Sequence, residues 1–326
     1  MKRFIQKSFF FILPVLTVFI CMEFLLRDIP NDYKLKKEFL DKYSYNIEIL
    51  CLGSSHAYYG INPVYFSKNS FNGSHISQSI DYDLQIFKKY QNKLCSLKYV
   101  LIPISYSTLY SNLNKGVESW RVKNYSLYYK MHTSNNIKDY SEALSNNSGV
   151  NIKRLYSYYI KKKQEITSSE LGFGLNYSSS NQEDLIKTGI TAAKRHTIEK
   201  DVLLFNENIH SLRSIIQLAQ KNKSVVIFFT LPAYHTYREN LDPNQLENTV
   251  NAISKISKEY NNVIYKNYMD DKMFIESDFF DADHLNEIGA EKLTKLLNNL
   301  IMDIEKCGLY HGAELDENSA ALNSHR

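Results

Sequence analysis

Hydrophobic positions fall into two regimes along the chain. Residues 8–26, SFFFILPVLTVFICMEFLL, form an apolar stretch of 19 residues that carries one charge, Glu23. At about 1.5 Å per residue this stretch comes close to crossing a hydrocarbon core of about 30 Å. It is apolar on every face, which a surface helix of a soluble protein is not. Beyond residue 46 the pattern changes to short apolar runs separated by helical stripes. The runs 47–52 (IEILCL), 99–104 (YVLIPI), 224–232 (SVVIFFTLP) and 261–268 (NNVIYKNY) have strand length, and 70–72 adds a short strand ending at Gly73. Between them, helical spacing joins Leu84, Phe87, Tyr90 and Leu94, then Ile209, Leu212, Ile215 and Ile216, then Leu246, Val250, Ile253 and Ile256. A final stripe runs from Leu285 through Ile288, Leu293 and Leu297 to Leu300. Strands alternating with helices predict right-handed crossovers and a parallel sheet covered on both faces, a three-layer α/β/α domain.

Three explanations compete for the first apolar stretch: a signal anchor, a cleaved signal peptide, or a buried helix. No Ala-x-Ala precedes a cleavage point, and Phe19 and Ile20 are too bulky for a lipid-modification site at Cys21. The anchor is the preferred reading. Lys2, Arg3 and Lys7 before the stretch then keep the amino end cytoplasmic and place the body outside. The chain accordingly divides into a stub and anchor (1–27), a helical tether (28–45), a main α/β domain (46–305) and a disordered tail (306–326). Residues 106–200 exceed what a crossover needs and read as an insertion at the active edge, a lid or substrate wall.

Bulk numbers exclude little. With 326 residues, 44% hydrophobic and 23% charged, there is ample material for one large domain. A net charge of +4, well dispersed, does not suggest nucleic acid, and the lysines at 34–37 and 161–163 read as solvated faces. The 25 tyrosines against one tryptophan could stack on sugar rings, or simply reflect biased composition. Cys21, Cys51, Cys95 and Cys307 show no zinc-ligand spacing and read as free, buried thiols, although Cys95 and Cys307 could pair in an oxidising compartment.

Chemistry concentrates at two places. Gly53-Ser54-Ser55 ends the first apolar run, at the carboxyl edge of the expected sheet where sites of such folds form. Asp281-Ala-Asp-His284 lies just before the last helical stripe. A serine becomes a nucleophile when a base takes its proton and a carboxylate orients that base. The plainer reading makes Ser55 a helix cap and His284 and Asp281 structural groups at a helix start. Ser54 is the neighbour that a register error would implicate. Asp283 reads as the cap of a helix beginning near Leu285, and Asp278 as solvated. His56 should point away from a cleft that Ser55 faces. His235 (after a strand end) and His196 beside Arg195 are candidates to touch substrate, as are Trp120 and Arg121; His75 is less secure.

These residues resemble the SGNH (GDSL-type) hydrolases. IEILCLGSSHAYYGINP matches that family's nucleophile block and DADHLNEIGA its Asp-x-x-His block, over roughly residues 45–305. The resemblance implies Ser55 as nucleophile, His284 as base and Asp281 as orienting acid. It also implies an oxyanion hole from the Ser55 and Gly73 N–H groups. The chain departs from the family at the third donor: LKYVLIPISYSTLY has no Gly-x-Asn-Asp, leaving Ser105, Ser107 or Asn72 as substitutes. One missing donor costs roughly a hundredfold to a thousandfold in rate. Similar departures occur in envelope-glycan acyltransferase relatives. The implied activity is hydrolysis or transfer of an acyl group, acetyl above all, on a cell-envelope glycan, without cofactor or metal. The resemblance leaves room for a membrane acyl-donor partner. The alternative is a non-catalytic glycan-binding or assembly protein on the same scaffold.

Overall fold

The computed structural model describes residues 1–198 and 201–307, Ile5 by its backbone alone. The chain forms two compact units, one from residues 1–42 with 113–170 and the other from residues 43–112 with the chain after 170. It opens with α1 (Lys2–Asp28) and α2 (Asp32–Tyr43), then runs β1 (Ile49–Cys51), α3 (Ser55–Gly60), β2 (Ser70–Asn72), α4 (Ile80–Tyr90) and β3 (Tyr99–Pro103). It continues through α5 (Val122–Leu127), α6 (Glu142–Ser145) and α7 (Ser148–Leu155), which a π turn (Tyr156–Ile160) extends. After α8 (Leu185–His196) come α9 (Val202–Lys221), β4 (Val225–Thr230), α10 (His235–Arg238), α11 (Pro243–Glu259) and β5 (Val263–Asn267). The chain closes with β6 (Phe279–Asp281), β7 (His284–Leu285) and α12 (Glu287–Lys306). The expected tail from residue 308 on lies outside the described residues, and Lys306 still belongs to α12.

The second unit holds a five-stranded sheet of order β2-β1-β3-β4-β5, every neighbouring pair parallel. The strands expected at 47–52, 70–72, 99–104, 224–232 and 261–268 are all present, trimmed by a residue or more at most ends. One set of alternating residues, Ile49, Cys51, Tyr99, Leu101, Ile227 and Phe229, shares a core with Leu293, Leu297 and Ile301 of α12. The other set, Leu50, Val100, Ile102, Val226 and Phe228, is fully buried on the opposite face. There α4 and α9 pack against each other and α9 against β4. The result is the three-layer α/β/α arrangement, and its switch point, where the strand order reverses, lies at β1 and β3.

At that switch point the backbone is held from beneath. Gly53 takes φ +122°, and a side chain there would lie 2.8 Å from the Pro103 ring. Its N–H donates to Asp83 Oδ1 at 2.8 Å, and Gln78 Nε2 donates to the same oxygen at 2.6 Å. Asp83 therefore fixes the turn that leads into Ser55. Of the four cysteines, all are free thiols, and Cys51 alone is buried; Cys21, Cys95 and Cys307 are exposed, which corrects their reading as interior residues.

The first unit is built around buried charge. Glu142 is fully enclosed and meets the Lys123 ammonium, Arg154 Nη1 at 2.7 Å and the Tyr128 hydroxyl at 2.6 Å. Arg154 also grips Glu165 with two nitrogens, at 3.0 and 2.9 Å. The Asp32 carboxylate, at the start of α2, accepts the backbone N–H groups and hydroxyls of Thr167 and Ser168. Residues Tyr33, Lys36 and Leu40 of α2 are buried, so the helix expected over 28–45 exists and packs. α1 is long and apolar enough to cross a membrane, and its window of greatest hydropathy is almost wholly exposed.

Burial raises the Asp83 carboxyl to about 7, the bonds from Gln78 and Gly53 working against that shift and Asp81 adding to it. The unfolded chain ionises near pH 4, so the native state holds this proton more tightly between those values. Stability from Asp83 is then lost as pH climbs from about 4 to about 7 and is level above. Asp83→Asn keeps an oxygen for Gly53 and removes the titration. In urea unfolding across pH 4–8, the variant should gain on the wild type as pH rises to about 7. A difference that does not vary with pH would show that Asp83 is not protonated in the native state.

Candidate active site

Ser55 is the first residue of α3, so its N–H has no partner within the helix and stands beside its own hydroxyl. The hydroxyl lies 2.8 Å from His284 Nε2. The histidine comes from a two-strand antiparallel ladder in which β6 and β7 pair Asp281 with His284. His284 Nδ1 faces the Asp281 carboxylate at 3.0 and 3.1 Å. The same carboxylate accepts the backbone N–H groups of Asp283 at 3.0 Å and His284 at 2.8 Å. Three donors thus hold Asp281, and the turn that carries it also aims the imidazole. The helix begins two residues later than expected: Asn286 caps α12 by accepting from Ile288 and Gly289.

Asp283 therefore caps nothing. It is 2% exposed, and its oxygens lie 3.6 Å from His284 Nδ1, 3.6 Å from His56 Nε2 and 3.7 Å from His196 Nδ1. Those separations are too long for hydrogen bonds, so the carboxylate acts on three imidazoles through its field. Burial opposes its ionisation, and the histidines, His284 foremost, outweigh that and hold it well below the ordinary carboxylate range. Burial likewise opposes a proton on His284, but Asp281 and Asp283 together hold its pKa well above the usual value. His196 goes the other way, pushed down to about 4 by burial despite Asp283, so it is neutral at pH 7. Asp278, expected to be solvated, is fully buried and paired with Lys292 at 2.7 Å.

His56 does not point away. Its ring stacks on that of His284, centroids 4.7 Å apart and planes 10° from parallel. The expectation treated neighbours as opposed, as in a strand, whereas successive residues of a helix turn by only about 100°. His56, Asp283 and His284 are close enough to suggest a metal centre. The stacking argues against one: an imidazole binds a metal in its own ring plane, and two parallel, offset planes cannot both contain a single ion.

The expected oxyanion donors are mostly occupied. The Gly73 N–H donates to the Cys51 carbonyl at 2.8 Å, extending the β1–β2 ladder, and is not offered to a substrate. The Asn72 amide is buried and donates to the carbonyls of Ala57 and Ile61. Ser105 shares its hydroxyl with Thr108 at 2.8 Å. It lines, with His56 and Asp283, a cavity of about 10 Å³, room for one water. Ser55's own N–H is the donor that stands beside the Ser55 hydroxyl. Of the substrate candidates, His196 joins the cluster and bonds Tyr237 at 2.9 Å. His235 is half-exposed and faces Glu239 at 3.4 Å along its own helix. Trp120 belongs to the first unit, half-exposed beneath the Arg121 guanidinium at 4.4 Å.

One wall was not foreseen. Tyr59, Tyr177 and Phe280 stack face to face, with centroid spacings of 3.6 and 3.8 Å. Tyr177 stands edge-on to His284 at 5.4 Å. It comes from the tyrosine-rich stretch after residue 170, where composition alone marks no single residue.

No family model matches the chain, and no curated protein matches it. Solved structures similar to it include a Streptococcus pneumonia protein provisionally described as a platelet activating factor. That chain is 12% identical, with a TM-score of 0.44, covering 88% of this chain and 99% of the other. A GDSL-like lipase from Bacteroides thetaiotaomicron is 15% identical, with a TM-score of 0.40, covering 83% and 98%. At these identities and scores neither likeness carries chemistry to this chain, and the reading of the site rests on its own distances.

The two carboxylates around His284 make its proton hard to remove, and Ser55 is activated only when Nε2 is unprotonated. Fluorophosphonate labelling of Ser55 should therefore rise with pH to a plateau above neutrality. In Asp283→Asn the midpoint should fall by about one unit or more, since a carboxylate within reach of an imidazole shifts it by that much. A lower plateau with an unmoved midpoint would reduce Asp283 to packing.

Proposed function

We propose that this chain is a serine-dependent acyl ester hydrolase or O-acyltransferase acting outside the cytoplasm on an acylated envelope glycan, held to the membrane by α1. The observation that carries the reading is the unbroken chain from Ser55 Oγ through His284 Nε2 and Nδ1 to Asp281. Ser55 Oγ attacks the ester carbonyl while Nε2 takes its proton, and the Ser55 N–H stabilises the oxyanion. Collapse expels the alcohol, which recovers that proton from His284, and leaves an acyl-serine. Water or a sugar hydroxyl then gives its proton to Nε2 and takes the acyl group, and the departing Ser55 oxygen recovers that proton from His284. Tyr177 is partly exposed beside His284 and, with both ring faces covered by Tyr59 and Phe280, presents only its edge toward a substrate.

A second reading is a glycan-binding protein on the same scaffold. The occupied Gly73 N–H and Asn72 amide favour it, because they leave the oxyanion short of donors. The two readings separate in one experiment on the full chain in detergent, using a fluorophosphonate probe and a small aryl acetate, with and without a glycan acceptor. The enzyme reading expects labelling, and its loss in Ser55→Ala with the fold intact. Ser54→Ala should retain most activity. His284→Ala should match Ser55→Ala, since nucleophile and base act as one unit, whereas Asp281→Asn should cost about 10⁴-fold. Wild-type turnover in Ser55→Ala would hand the case to the scaffold reading.

A further inference from the structure

In the first unit, α1 does not leave its apolar run into open chain. Its last turns are bolted to α6 and to the helix formed by α7 and the π turn. The Glu23 carboxylate accepts the Ser141 hydroxyl at 2.7 Å and the N–H groups of Glu142 and Ala143 at 3.1 and 2.8 Å. The Tyr159 hydroxyl reaches the Leu25 carbonyl and the Asp28 carboxylate, each at 3.0 Å. Buried Leu26, Ile29 and Ala143 complete the joint, with Phe19, Met22, Leu155 and Tyr158 packed around them. Glu23 is also the one charge within the apolar stretch, near its far end. If that stretch fills a bilayer, the joint fixes residues 148–160 at the depth where hydrocarbon gives way to headgroups.

The outer face of this helix is apolar where a soluble surface would be polar. Ile152, Tyr156 and Ile160 are 61%, 51% and 66% exposed. They recur every four residues, and the wider π turn, marked by the Lys161 N–H bonding the Tyr156 carbonyl at 3.0 Å, keeps Ile160 in line with the other two. Lysines edge the face: Lys153 and the exposed run 161–163, with the Lys161 ammonium 5.3 Å from the Tyr156 ring. The nearby acids are already engaged, Glu165 with Arg154 and Asp28 with Tyr159. An apolar stripe rimmed by lysine is the pattern of a helix lying in the membrane interface.

We propose that the Ile152–Tyr156–Ile160 face lies in the headgroup layer of an anionic bilayer, a second membrane contact beside α1. A lipid surface suits this face better than a protein partner, because its helix packs against the last turns of the apolar α1 and its cations match lipid phosphates. The proposal rests on α1 spanning the membrane, and the test separates the two. In full-length Trp120→Phe protein, a single tryptophan is placed by Tyr156→Trp or by Phe11→Trp. Each variant is reconstituted into phosphatidylglycerol-containing vesicles with or without acyl-chain bromine. Both tryptophans should be quenched, each losing about half or more of its emission. Quenching at position 11 without quenching at position 156 overturns the second contact and spares the anchor. Absence of quenching at both positions overturns the anchor, and the contact with it.

Discussion

Everything at the reactive edge depends on one electrostatic constraint: His284 shares a buried space with two carboxylates and two other imidazoles. Asp281 is tied down by two backbone N–H groups and the imidazole, so it can orient the base without wandering. Asp283 has no such bonds and keeps its charge because the histidines surround it. His56 adds its ring to this space, stacked on that of His284 with centroids 4.7 Å apart. The field that would steady an imidazolium in the proposed acyl transfer also makes the resting imidazole reluctant to lose its proton. Stabilising the charged intermediate and readying the neutral base are opposing demands, and the second carboxylate tilts this site toward the first.

Much of the architecture was legible because parallel strands buried on both faces must be continuously apolar. Leu50, Val100 and Phe228 fill one face while Cys51, Leu101 and Phe229 fill the other, so the runs stood out whole. The Ser55, Asp281 and His284 grouping was legible for a different reason: few arrangements place Gly-x-Ser after a strand and Asp-x-x-His before a helix. What stayed hidden has physical causes. Asp283 looked like a cap because acids before helices commonly are, but the short β6–β7 ladder delays the helix and turns Asp283 inward. His56 was misplaced by a strand-like alternation applied to a helical start. The Gly73 N–H was assigned to catalysis from a motif, while the backbone uses it to lengthen the sheet by one bond. Tyr177 could not be singled out because its role depends on stacking between Tyr59 and Phe280, which lie far from it in sequence.

The first unit is organised by the same principle at greater scale. Glu142 accepts Lys123, Arg154 and Tyr128 in a space closed to water, an arrangement whose desolvation cost is met only while every partner is present. Its own backbone N–H donates to Glu23, so the buried network and the end of α1 share a residue. Moving α1 relative to α6 would leave the Glu23 carboxylate short of two backbone donors next to a cluster that tolerates no unpaired charge. The joint between α1 and α6 is thus stiff by construction. Such stiffness would suit the proposed membrane contact of residues 148–160, whose helix the same joint holds against the last turns of α1.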